Sequence, residues 1–237
     1  MPGAPSHSTN RTAAIADALR NAIIERAISP GTRLPEDLIG KQFGVSRTIV
    51  RAAIAQLVSE GLVDQRPNRS ATVIKPSWED ANDTFDLRIA VEDLVVSRLA
   101  GTLTPDQVQV LRDHVELEEQ ARKAGDEPKS IRLAGEFHSL LAEMTDSPIL
   151  IRYMRELASR CCLILSLFSR PHSSDCAVAE HRELIDLLES NDVEIARRAM
   201  NHHLSAVVNR ALIKPAAKKP DSIADILAIY APTAGDA

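Results

Sequence analysis

Apolar residues recur at three- and four-residue spacing along most of the chain, which is the period of an amphipathic helix. From Thr12 to Ala27 the stripe is Ile15, Ala18, Leu19, Ala22 and Ile23, and Ser29-Pro30-Gly31 stops it. Leu34-Pro35 opens a shorter helix, Glu36 to Phe43, with Leu38 and Ile39 inward, and Gly44 ends it. Ser46 is placed to cap a third helix, Arg47 to Glu60, through its hydroxyl. Ile49, Ala53, Ile54, Leu57 and Val58 form its apolar face, and Gly61 suits the left-handed close. Leu62-Val63 and Thr72-Val73-Ile74 then read as two short strands around a hairpin, Asp64 to Ala71.

Beyond Lys75-Pro76-Ser77 the helical period returns and persists. Six segments are expected, at about 79–101, 104–124, 129–145, 148–169, 175–190 and 192–213. Thr104-Pro105 and Ser147-Pro148 start helices, and Gly101 and Gly125 end them. No strand pattern or internal repeat interrupts this half. KPAAKKP at 214–220 reads as a linker, and Asp221 to Tyr230 as a short terminal helix. The expected fold is mostly α: a winged helix-turn-helix over 9–76, an all-helical bundle over 77–213 and a tail over 214–237.

Composition agrees. Across 237 residues, 44% are hydrophobic and 26% charged, so the chain can bury a core. Aromatics at 3% and nine glycines argue against a large β-sandwich or a Gly-rich nucleotide-binding fold. Cys161, Cys162 and Cys176 form no CxxC, which fits neither a disulfide framework nor a cysteine zinc finger. The start, MPGAPSHSTNR, lacks the apolar core of a signal peptide. The longest apolar run, Cys161 to Phe168, is far short of the roughly 20 residues a membrane span needs. A cytoplasmic protein without a membrane partner is expected.

Net charge is −5, but it is unevenly shared. Residues 1–76 hold ten Lys/Arg and six Asp/Glu, a balance of +4; the remainder holds 18 and 27, a balance of −9. A basic head on an acidic body suggests a polyanion-binding module. Within the head, Arg47, Thr48 and Arg51 project from the N-terminal half of the third helix, where a recognition helix meets base edges. Arg47 and Arg51 are four apart and share a face, and each guanidinium can bond bidentately to guanine. Arg66 and Arg69 lie at the hairpin tip, within reach of a minor groove or backbone. Solvated arginines in surface ion pairs are the plainer alternative.

Histidines mark the second half. His138, His181 and His203 lie on inner faces of three different helices, while His114 and His202 look outward, His172 lies in a turn and His7 in the tail. Buried imidazoles need hydrogen-bond partners or a ligand, and three together suit a divalent ion of the zinc or nickel class.

PGTRLPEDLIGKQFGVSRTIVRAAIAQLVSEGLV resembles the DNA-binding domain of GntR-family bacterial transcription regulators. The departures are Ala52, where a Glu is usual, and Ser70, where the wing usually has Gly. The second half resembles the FCD effector domain, in its six-helix VanR-like branch. FDLRIAVEDLVVSRLA, FHSLLAE, EHRELIDLLESND and AMNHHL carry that resemblance, which spans about 9–213. It implies a homodimer that binds double-stranded operator DNA through Arg33, Ser46, Arg47, Thr48, Arg51, Arg66, Asn68 and Arg69. It also implies a pocket for a small effector, of carboxylate type, lined by Arg88, His138, His181 and His203. The three histidines would be metal ligands, but Ala134 stands where the family often has a fourth, an Asp. An Arg88–Glu92 surface pair is the alternative for that arginine. Glu136 points elsewhere and is not expected to replace the Asp. Two other readings stay open: a metal-responsive regulator, and a zinc hydrolase built on the three histidines.

Overall fold

The computed structural model describes residues 7–67, 69–168 and 177–211. The linker and terminal helix expected after residue 213, the turn holding His172, Cys176 and the wing residue Asn68 lie outside the described residues.

The head is built from α1 (His7–Ile24), α2 (Glu36–Phe43) and α3 (Arg47–Ser59), with strands β1 (Arg33–Leu34), β2 (Val63–Asp64) and β3 (Ala71–Val73). Helix α1 starts at His7, within the expected tail, and ends at Ile24, short of Ala27; Arg26 takes a left-handed φ of 62° as the chain turns. Its buried stripe is Ile15, Ala16, Leu19, Ile23 and Ile24, whereas Ala18 faces solvent. Leu38 in α2 is 63% exposed, contrary to the pattern, and only Ile39 and Gly40 turn inward. Two glycines carry the turns: Gly44 (φ 63°) joins α2 to α3, and Gly61 (φ 66°) follows α3. In both, a side chain would strain the backbone.

Among the described residues the sheet has three strands rather than two, in the order β1-β3-β2, all antiparallel. Leu34 pairs with Ala71 and Val63 with Val73, so apolar residues share the face that closes the head core. A two-residue strand carries almost no alternation, which is why β1 could not be read from sequence.

The bundle comprises α4 (Trp78–Leu99), α5 (Pro105–Lys123), α6 (Glu127–Glu143), α7 (Pro148–Phe168), α8 (Ala177–Glu189) and α9 (Val193–Ala211). Capping boxes start α4 at Ser77/Asp80 and α5 at Thr104/Gln107. Helix α4 packs on α7 and α9, α6 on α5 and α7, and α8 on α5 and α9. The core runs through Phe137, Leu141, Met154, Leu184 and Leu204, all essentially without exposure. Head and bundle also interlock, because Leu163 of α7 is part of the head core.

Candidate functional site

The recognition helix is held by Val50, Ala53, Ile54 and Leu57. Val50 replaces Ile49 and Val58 in this role; Ile49 is half-buried and Val58 half-exposed. That rotation leaves Arg47, Thr48 and Arg51 outward, with both guanidiniums 65% exposed. Neither arginine is free of partners. Arg47 pairs with Asp37, and Arg51 Nε donates to Glu36 Oε2 at 2.7 Å, so the first turn of α2 supplies both carboxylates. Ser46 occupies the cap position of α3 and is exposed, but its side chain makes no cap hydrogen bond, which corrects the expected hydroxyl cap. Arg33 is exposed on β1. On the wing, Arg66 and Arg69 are exposed, and Arg66 reaches Asp64 at 3.2 Å.

In the bundle, α6, α8 and α9 bring His138, His181 and His203 together, with ligand atoms within 4.8 Å of one another and all three buried. Each ring is oriented from behind by a carboxylate. His138 Nδ1 lies 2.5 Å from Glu92 Oε2, His181 Nδ1 2.8 Å from Glu118 Oε2, and His203 Nδ1 2.6 Å from Glu180 Oε2. With each Nδ1–H donating outward, the three Nε2 lone pairs face one another. His138 and His203 Nε2 are 3.4 Å apart, and His181 Nε2 has no hydrogen-bond partner among the described residues. The 3.4 Å gap is close to the separation of two ligands on a tetrahedral ion with bonds of about 2.1 Å. Phe137 stacks on His181 at 4.1 Å and 16°, fixing the ring from a second side.

Burial dictates the protonation states. It pushes His181 down to about 3, His203 down to about 4 and His138 well below the imidazole range, with Arg88 adding to the effect on His138 and His181. The rings are neutral and therefore competent ligands. Burial also pushes Glu118 up to about 8, and its Oε1 has no hydrogen-bond partner among the described residues. The residues present thus fit a divalent ion in donor type and orientation.

Arg88 forms the i,i+4 pair with Glu92 at 2.6 Å, but not at the surface. The pair is buried, and Arg88 lines the same cavity as the histidines. Ala134 lines that cavity with a methyl group. Glu136 is engaged by Arg132 outside it. His202 is exposed as expected, whereas His114 is only 10% exposed and bonds the Leu133 carbonyl at 2.8 Å. Sequence reasoning did not single out Glu118 and Glu180, nor Glu36 and Asp37. Glu180 precedes His181, but nothing in the spacing of Glu118 signals that it crosses to α8.

A winged head with an arginine-bearing helix face, joined to a helical bundle enclosing a histidine site, is the build of a ligand-sensing DNA-binding regulator. Residues 11–73 match the gntR family of bacterial regulatory proteins, and residues 83–206 match the FCD domain. The chain belongs to the GntR family and carries an FCD domain; it is a DNA-binding transcription regulator. It is 27% identical over 190 residues to the HTH-type transcriptional repressor RspR of Escherichia coli K12, covering 80% of this chain and 83% of that protein. An HTH-type transcriptional regulator in the unstable DNA locus of Streptomyces ambofaciens is 32% identical over 190 residues, 80% of each chain. A solved GntR regulator from Rhodococcus sp. RHA1 superposes with a TM-score of 0.70 at 26% identity, over 85% of this chain and 97% of that one. These relatives are regulators, not enzymes. Among the described residues, no helix is long and apolar enough to cross a membrane.

Proposed function

We propose that the protein binds operator DNA through α3 and the wing, and that an effector at the three histidines modulates that binding. The observation that carries this reading is the set of three inward Nε2 atoms, each ring braced by its own glutamate. Structural histidines need one hydrogen bond each, not a shared focus. A divalent ion bound there supplies a fixed positive charge and an open coordination position.

On DNA, Arg47 and Arg51 exchange their carboxylate partners for base edges, each contributing about 1–3 kcal/mol of discrimination. Thr48, Ser46, Arg33 and the wing residues Arg66 and Arg69 contact backbone or groove. A homodimer sets two such helices on a palindromic operator. Leu87 and Leu94, seven apart on α4, are 54% and 42% exposed and give a second copy an apolar seam.

Cavity size favours one effector order over another. The space among the histidines is about 40 Å³, enough for an ion and a water or two. An organic acid, drawn by Arg88 and the metal, must displace side chains to enter. This observation favours the metal-responsive reading, kept as the second one, because an ion alone needs no displacement.

Gel shifts on the chain's own upstream DNA test the proposal, with Zn(II) or Ni(II) titrated first and organic acids added at fixed metal. Selective binding altered by about fivefold or more is expected. Selective binding indifferent to both additions would refute the effector site, and absence of sequence selectivity would refute the DNA reading.

A further inference from the structure

The wall of the histidine cavity is also the floor beneath the DNA-binding head. Ile131, Cys162 and Leu165 line the cavity. Ile131 and Cys162 form one buried cluster with Ile24 of α1, with Leu165 packed against it. Ile24 also faces a larger cleft of about 450 Å³ between head and bundle, where Gly135 and Cys162 appear again. Those two residues therefore border both spaces. They touch without slack: a Cβ built on Gly135 would lie 2.1 Å from Cys162 Sγ. The thiol itself donates to the Ile131 carbonyl at 3.4 Å.

The contact continues in both directions. Arg132, beside Ile131, donates to Glu25, the residue that follows α1, at 2.8 Å, and His138 lies on the same helix as Arg132. In the head, Arg20 grips Glu60 at the end of α3 with two bonds of 2.6 Å. The path from His138 to the helix bearing Arg47 and Arg51 thus runs through packed side chains and ion pairs. Close-packed interiors pass displacements on because they lack free volume to absorb them.

We propose that the head senses occupancy of the histidine cavity through Ile24, which rests on the cavity wall formed by Ile131, Cys162 and Leu165, with Glu25–Arg132 fixing the register. This rests on the cavity being the effector site. An effector too large for the cavity pushes this wall, and the wall moves the C-terminal end of α1.

The wall can be moved without any ligand. Gly135→Ala places a methyl group against Cys162 Sγ, and hydrogen exchange of the full chain reads the result. Exchange over residues 22–28 should rise about fivefold or more, while residues 184–196 in the far side of the bundle stay unchanged. In a Cys162→Ala background, where the obstructing sulfur is gone, the same substitution should have little effect. No change at 22–28, an equal rise in both segments, or an undiminished effect in the Cys162→Ala background overturns the proposal. Should Gly135→Ala fail to fold, Cys162→Ala alone decides: it unloads the wall and must alter exchange at 22–28, and unchanged exchange there overturns the idea. Zn(II) calorimetry on the unaltered chain tests the effector site separately, so the two failures are distinguishable.

Discussion

Glu92 Oε2 accepts from His138 Nδ1 at 2.5 Å, and its other oxygen accepts from Arg88 Nε at 2.6 Å, with all three side chains buried. One carboxylate therefore fixes the tautomer of a candidate ligand and neutralises the cation beside it. Glu92→Gln keeps the shape but weakens both roles. Zinc affinity measured by calorimetry should fall about 10–100-fold. Unchanged affinity would show that Nδ1 orientation does not matter.

Glu36 holds Arg51 in the free head, so under the proposed function it is a competitor of DNA for that side chain. Glu36→Gln removes that competitor and one negative charge from the reading face. Exposed pairs of this kind are worth about 0.2–1 kcal/mol, so operator affinity should rise a few-fold in fluorescence anisotropy. A loss of affinity would mean that Glu36 positions Arg51 rather than restraining it.

Arg51→Ala should weaken specific operator binding by about 1–3 kcal/mol while sparing non-specific binding. Equal losses on operator and random duplex would place Arg51 on phosphates instead.

The capping box of α4 predicts a pH signature. The Ser77 backbone N–H donates to Asp80 and holds its carboxyl below the usual range. A depressed folded-state value stabilises the fold above the unfolded value of about 3.9, and that stabilisation is lost as pH falls through the folded value. Asp80→Asn should therefore cost stability in urea at neutral pH and progressively less below about pH 4. A cost that stays constant with pH would assign the effect to shape.

Leu163 belongs to the bundle in sequence and to the head in packing. Leu163→Ala should cost about 2–5 kcal/mol and lower the unfolding midpoint of the head as well as the bundle. A midpoint change confined to the bundle would show that the contact does not couple the two units.

On the proposed pairing through α4, Leu87→Glu with Leu94→Glu should leave the chain monomeric in light scattering, because two charges per copy would be buried against their like. A dimer that survives both substitutions lies on another face.

The sequence by itself determined the helices, because the 3.6-residue period, proline starts and glycine stops are local properties. It determined the two arginines four apart on one helix and the three histidines on inward faces for the same reason. Tertiary structure decided what those side chains meet. Glu118 and Glu180 reach their histidines across 63 and 23 residues of chain, and Glu36 reaches Arg51 across 15. The short β1, paired only through β3, and Leu38, left outward on α2, were likewise settled by neighbours distant in sequence. Periodicity says which way a side chain points along its own helix; only packing brings another helix to it, and the chemistry of the site arises where the two meet.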